Sequence, residues 1–377
     1  MNPRPLIPAA LLAVGALGPA AAQQPQPLGR PLVEHAEPFS RITGIRELAG
    51  GRLIIADSRE KTLQLVDLTT GASRPISREG RGPGEWLNIV GLLPLPQFET
   101  LVADGGNRRF LKLGADGDVI ETVAPPALGT TPNASAAMAG FAVFGLITAR
   151  AVDRWGRIHF EPVNFGREGV PAPDSIPILR WSLGRADIDT VGWRRSSGSG
   201  MVWAPAEQWQ AMPDGRIARA SPAPYRLTLV DSSGRSAEGP VVHFSPVRVT
   251  DADREEVRNR QRSQMAQVGQ AMRAQAPSAG GTPPAPRVPE IQFAETKPPF
   301  YGPQAIEVAP DGEIWILRTN AFGDPVPVYD VFKENGQLHR RVALPARSRL
   351  VGFGQRAVYI ARLDDDDLEW LQKYARP

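Results

Sequence analysis

The chain of 377 residues contains no cysteine. That excludes disulfides, thiolate metal sites and a thiol nucleophile. It does not fix a compartment, because an exported chain can simply avoid thiols. Histidine is scarce. The four copies, His35, His159, His243 and His339, show neither His-x-His nor His-x-x-x-His spacing, so only a fold that gathers distant residues would build a histidine metal site. Gly-x-Ser-x-Gly is missing, which removes the signature of a hydrolase elbow. Dense basic runs interleaved with aromatics are missing too. Lys and Arg total 43 against 40 Asp and Glu, a formal charge of +3, and they are scattered. Nucleic acid is therefore not an expected partner. Beyond the first 22 residues no apolar stretch reaches the roughly 18 residues of a membrane-spanning helix.

What is present begins with a leader. Arg4 supplies a positive start, Leu6 to Leu17 is an apolar run, and Ala20 to Ala22 fits a small-residue cleavage site. Residues 1–22 read as an export signal, with Gln23 the first residue left after cleavage. The expected location is periplasmic or secreted. Gln23 to Leu28 reads as a short polar lead-in.

Glycine (37) and proline (38) are abundant, as many turns would require. A turn followed by an alternating strand recurs six times: Gly50 to Ala56, Phe98 to Asp104, Trp155 to Glu161, Asp214 to Ala220, Asp311 to Leu317 and Gln355 to Ala361. Asp-Gly ahead of alternating apolar residues is a strong hairpin signal, because glycine reaches positive φ without steric cost. Aligned on Leu53, Leu101, Ile158, Ile217, Ile314 and Val358, the spacings are 48, 57, 59, 97 and 44 residues. Most are close to one propeller blade. Each copy has room for a strand before it and two after it. The spacing predicts an all-β fold, a six-bladed β-propeller of four-stranded antiparallel blades over residues 23–377. The sixth unit runs out of chain before its fourth strand. Pro31 to His35 lies ahead of the first unit and is expected to supply it, closing the ring.

The spacing of 97 holds an insert at 250–298. Thr250 can cap a helix whose first turn carries Asp251 and Asp253. The helix is expected to run to about Ala276. Its apolar positions, Val257, Met265, Val268 and Met272, are sparse, which predicts a weakly packed surface helix. Pro277 to Pro289 reads as a flexible or extended linker.

Two stretches carry a family likeness. Val102 to Phe110 resembles the NHL-repeat signature of six-bladed propellers. Arg78 to Trp86 resembles a Gly-Pro-Gly-Glu-aromatic motif of exported bacterial six-bladed propeller proteins of unassigned function. The resemblance spans about residues 40 to 377, the insert excepted, and it implies the same fold. NHL-like repeats occur in binding scaffolds and in some lyases and lactonases, so the likeness selects no activity. The lyase members of the wider fold use a histidine-ligated metal, and the histidines here offer no recognisable set.

Candidate site residues lie on loops that enter inner strands, because those loops meet around one face of a propeller. They are Arg41, Arg81, Glu85, Trp86, Trp203, Tyr301 and Arg349. Together they would form an aromatic and basic funnel for a sugar, a peptide or an anionic small molecule. Asp57 and Asp104 sit at strand-to-turn junctions, where a carboxylate accepts backbone hydrogen bonds. Asp364 to Asp367 reads as a hairpin tip. Calcium or another divalent ion is its alternative use, and no other cofactor is indicated. The residues favour a binding platform, with a ligand or partner at the axial face, over an enzyme. The alternative is a metal-dependent propeller enzyme, a lactonase-like hydrolase or a lyase.

Overall fold

The computed structural model describes residues 24–126, 146, 148–149, 151–162, 173–197, 200–275 and 291–377. The expected leader, the linker at 277–289 and most of the loops at 127–150 and 163–172 lie outside these residues.

Two short strands come first, β1 (Gln26–Pro27) and β2 (Val33–Glu34). Blade 1 is β3 (Ile42–Glu47), β4 (Leu53–Asp57), β5 (Thr62–Val66) and β6 (Ser73–Pro75). Blade 2 is β7 (Ile89–Pro94), β8 (Thr100–Asp104), β9 (Arg109–Leu113) and β10 (Val119–Val123). Blade 3 is β11 (Ala151–Val152), β12 (Arg157–Phe160), β13 (Ser175–Ser182) and β14 (Ile188–Arg195). Blade 4 is β15 (Gln208–Ala211), β16 (Ile217–Pro222), β17 (Tyr225–Val230) and β18 (Ser236–Glu238). The insert follows, with β19 (Val247–Arg248), helix α1 (Asp251–Gln275) and β20 (Thr296–Lys297). Blade 5 is β21 (Ile306–Val308), β22 (Ile314–Leu317), β23 (Val328–Phe332) and β24 (Leu338–Ala343). Blade 6 is β25 (Ser348–Phe353), β26 (Ala357–Leu363) and β27 (Glu369–Ala375). Within each blade, successive strands pair antiparallel.

The chain is thus a six-bladed β-propeller, and the six turn-and-strand copies are the second strands, β4, β8, β12, β16, β22 and β26. These strands are buried on both sides, which follows from their period of two. In β4, Leu53 and Ile55 face blade 6, while Ile54 and Ala56 face blade 2. In β26, Val358 and Ile360 face blade 5, while Ala357, Tyr359 and Ala361 face blade 1. Six hydrophobic clusters fill the six gaps between neighbouring blades. A row of six blades would have five such gaps, so the sixth cluster is the packing evidence for a closed ring. Each fully buried aliphatic side chain contributes about 1.5–3 kcal/mol.

Closure follows the expected route. Val33 and Glu34 of β2 pair with Lys373 and Gln372 of β27. The lead-in does more than its composition suggested. Gln26 and Pro27 form β1, a fifth strand parallel to β24 on blade 5, and Leu28 is buried in the cluster between blades 5 and 6. Its neighbours are polar, so nothing local marks it as a core residue.

Glycine sets the spacing of the inner strands where blades 6, 1 and 2 meet. A Cβ on Gly352 would lie 2.3 Å from Ile45 Cγ2, and one on Gly44 would lie 2.9 Å from Leu92 Cγ. Any larger residue would push these strands apart and widen the centre of the ring.

In the insert, Thr250 and Asp253 exchange cap bonds. Asp253 N donates to Thr250 Oγ1 at 3.2 Å, and Thr250 N donates to Asp253 Oδ2 at 2.8 Å. Asp253 also forms a buried ion pair with Lys297, pinning the helix start to β20. Val257 and Met265 are only half-buried, as expected for a surface helix.

Candidate functional site

In every blade the first strand pairs on one side only. Its other edge faces the ring axis, with unpaired backbone donors and acceptors. Six such edges enclose an axial channel of about 650 Å3, within the size range of small-molecule sites. Each blade contributes, for instance through Arg46, Leu92, Val152, Gln210, Glu307 and Val351. The wall continues into the turns that follow the inner strands, at Gln97, Arg154, Pro213 and Gln355. The channel therefore widens into the turns at the ends of the inner strands.

Charge in the channel is unevenly committed. Glu47 accepts from Tyr359 Oη at 2.7 Å, from Gln355 N at 2.7 Å and from Lys373 Nζ at 3.3 Å. Burial pushes its carboxyl up, but these bonds outweigh burial and hold it below the usual range. Asp153 accepts from Arg157 Nε at 2.7 Å and from His159 Nε2 at 3.0 Å. Glu307, on blade 5, stands beside Tyr329. Burial first, and Glu307 second, push that phenol up. The cations that line the channel are Arg46 and Arg154, and neither has a carboxylate within 4.0 Å among the described residues. Arg46 makes one long bond, Nη2 to the Leu95 carbonyl at 3.4 Å, and its buried Nε has no partner among the described residues. Burial lowers its pKa, and the charge of the neighbouring Glu47 opposes that only in part, the sign of a charge held without full compensation.

His159 is buried, and its Nδ1 also lacks a partner among the described residues. Burial lowers its pKa, and the bond to Asp153 only partly opposes that. The folded ring therefore holds a neutral imidazole where the unfolded chain would bind a proton below about pH 6.5. This contribution to stability is complete above that pH and is lost as the pH falls through it. Melting scans from pH 7.5 to 5.0 should show a steeper acid decline in the parent protein than in His159→Gln. Parallel declines would contradict this assignment.

The seven sequence candidates all lie at the opposite end of the inner strands, and none lines the channel. They form three groups. Arg41 and Arg349 converge on the buried Glu369, with Arg41 Nη1 at 2.9 Å and Arg349 Nη2 at 2.6 Å. Trp203 and Tyr301 meet with ring centres 6.4 Å apart, and Phe293 of the insert completes the cluster 5.7 Å from Trp203. Arg81, Glu85 and Trp86 stay on the connector into blade 2. Glu85 pairs with Arg78 at 2.7 Å rather than with Arg81, and it accepts from Gly82 N. Its side chain fills the space beside Gly80, where a Cβ would lie 2.1 Å from Oε2. Trp86 is 2% exposed in the core between blades 1 and 2, so its ring is used in packing. Arg46, Arg154 and Gln210 were missed because nothing local distinguishes them from ordinary strand and turn residues.

Asp57 and Asp104 act as turn acceptors. Asp57 takes bonds from the N–H groups of Ser40, Arg41, Arg59 and Glu60. Asp104 does the same for Leu87, Asn88, Gly106 and Asn107. Each carboxylate ties an incoming connector to the turn beside it. Asp364 to Asp367 form the β26–β27 turn. Asp364 accepts from Asp366 N, Leu368 N and Trp370 Nε1, and Asp365 pairs with Arg347. Among the described residues no three His, Asp or Glu side chains gather as metal ligands. No helix among the described residues is long and apolar enough to cross a membrane.

No family model matches the chain, and no curated protein matches it. Solved structures do. A DUF4221-family protein from Bacteroides vulgatus is 8% identical, with 92% of this chain and 98% of that one covered and a TM-score of 0.49. Virginiamycin B lyase from Staphylococcus aureus is 9% identical, with 92% and 99% covered and a TM-score of 0.43. A gluconolactonase from Xanthomonas campestris is 14% identical, with 93% and 99% covered and a TM-score of 0.41. Likeness this distant transfers no activity, and the fold assignment rests on the chain's own six sheets. One expectation is corrected here. The preference for a binding platform over an enzyme has no support, and the matched structures include a lyase and a gluconolactonase.

Proposed function

We propose that the protein takes up a small anionic organic molecule in its axial channel, with Arg46 as the anchor for the acid group. The observation that carries this reading is the state of Arg46. Its guanidinium lines a cavity of ligand size, lacks a carboxylate partner among the described residues and is partly stripped of water. A carboxylate or phosphate would supply the missing hydrogen bonds, and bonds between two charged groups are the strong ones. Exposed backbone groups of the inner strands and Gln210 would hold the polar remainder. The leader supports export to the periplasm or beyond, and the stretches at 78–86 and 102–110 support kinship with NHL-like exported propellers.

Calorimetry at low salt tests this with benzoate and gluconate against the uncharged benzamide and glucitol. The acids should bind and their neutral counterparts should not. Arg46→Gln should weaken binding about 10- to 100-fold, the loss of one charged bond pair. No binding of either acid, or an unchanged affinity in the variant, would contradict the reading. Glucono-1,5-lactone followed by NMR separates uptake from turnover. Ring opening faster than in buffer, and lost in Arg46→Gln, makes the same channel an active site.

A second reading keeps the opposite face. Trp203 has φ +62°, a conformation that is a true outlier for a bulky residue. Such strain often marks a functional site. Here it sets the indole beside Tyr301, which is 44% exposed. Binding of a sugar or peptide that is lost in Trp203→Ala but kept in Arg46→Gln would favour that face.

A further inference from the structure

We infer that the channel is built for a dianion, with Arg154 at the mouth as the second acid-binding group. The inference rests on the assignment of Arg46 above and adds the ligand class. Arg154 belongs to the turn after β11, where its guanidinium lies 4.4 Å from the centre of the Trp155 ring. Arg157 stacks on the same ring at 4.5 Å. Trp155 is 53% exposed, so the stack stands at the surface. The two arginines differ in one respect. Arg157 is spent on Asp153, whereas Arg154 makes no ion pair among the described residues. The stack gives Arg154 a preferred orientation without neutralising it.

Arg46 and this turn approach the same spot. Arg46 Nη2 contacts the Leu95 carbonyl at 3.4 Å. From the other side, a Cβ on Gly156 would lie 3.7 Å from Leu95 Cδ2 and 3.2 Å from Pro96 Cδ. Both arginines line the one channel, Arg46 from β3 of blade 1 and Arg154 from the turn after β11, where its backbone N donates to the Pro213 carbonyl of blade 4. In the wall, Glu47 pairs with Lys373 and Asp153 with Arg157, both cations coming from outside it. Glu307 is on blade 5, two blades away from Arg46 on blade 1 and from Arg154 on blade 3. A molecule with an acid group at each end would meet one arginine inside and one at the rim. A monoanion would leave one of them unmatched.

The test uses glutarate against its half-amide, which has the same length with one charge removed. Glutarate should bind the parent protein at least about 10-fold more tightly than the half-amide. Arg154→Gln should lower glutarate to the half-amide level. Arg46→Gln should weaken both. Trp155→Ala, which removes the stack and keeps the charge, should reduce the preference for glutarate partially. Equal affinities for the two acids, or a preference that survives Arg154→Gln, would overturn the dianion assignment. If Arg46→Gln still weakens both ligands in that case, the monoanion reading stands. If neither acid binds, both assignments fall.

Discussion

Replacing Asp330 with alanine should destabilise the ring by about 3–5 kcal/mol, the cost of removing one partner from a buried charge cluster. Asp330 is fully buried in β23. Its Oδ1 accepts from Arg341 Nε at 2.8 Å, and its Oδ2 accepts from Arg318 Nη1 and Tyr225 Oη, each at 2.8 Å. Tyr225 belongs to blade 4, so this carboxylate is a polar tie across the gap between blades 4 and 5. Without it, two arginines and a buried phenol each lose one charged acceptor at once. Tyr225→Phe removes a single bond and should cost only about 1–2 kcal/mol. The two substitutions should also be non-additive, because they remove the two ends of one hydrogen bond. Urea unfolding checks all three values. A loss below about 1 kcal/mol for Asp330→Ala would show that the cluster is not holding the blades together.

Deleting residues 28–36 should have an effect of similar size for a different reason. The deletion exposes the outer edge of β27 and empties the position of Leu28. It removes backbone bonds from Leu28 N to Ala343 O, from Leu32 N to Lys373 O and from His35 N to Leu371 O. Burial of one leucine is worth about 2 kcal/mol and each bond about 1 kcal/mol, giving roughly 5 kcal/mol. For a chain of this size that corresponds to a fall in Tm of about 7 °C. Replacing the same residues with a glycine-serine stretch should be nearly as damaging, since the length is kept and the contacts are lost. An unchanged melt in either variant would mean that blade 6 does not depend on the N-terminal strands.

The architecture was legible because a propeller repeats one local rule. Strands such as Leu53–Asp57 and Thr100–Asp104 must bury both faces, so they are apolar throughout and end at a turn. Asp57 and Asp104 were legible for the same reason, since a carboxylate at a strand end has a local task. The channel was not. Its wall is made of edges of inner strands as short as Ala151–Val152 and Gln208–Ala211, which show no pattern of their own. Arg46 differs from other arginines only in what it lacks, and that depends on Lys373 and Arg157 having taken the nearby carboxylates. Trp86 misled in the other direction. A glycine-rich loop with an aromatic looks like a ligand loop, yet Glu85 fills its bend and the indole is core. The connectors were a reasonable place to look, and they do bring Trp203 and Tyr301 together. The two arginines that line the channel, Arg46 and Arg154, lie at the other end of the strands.

The most direct measurement is an anomalous difference map from crystals soaked in 4-iodobenzoate. The account predicts an iodine peak inside the axial channel, with the carboxylate against Arg46 and the peak absent in Arg46→Gln crystals. An iodine peak beside Trp203 and Tyr301, with none in the channel, would contradict it.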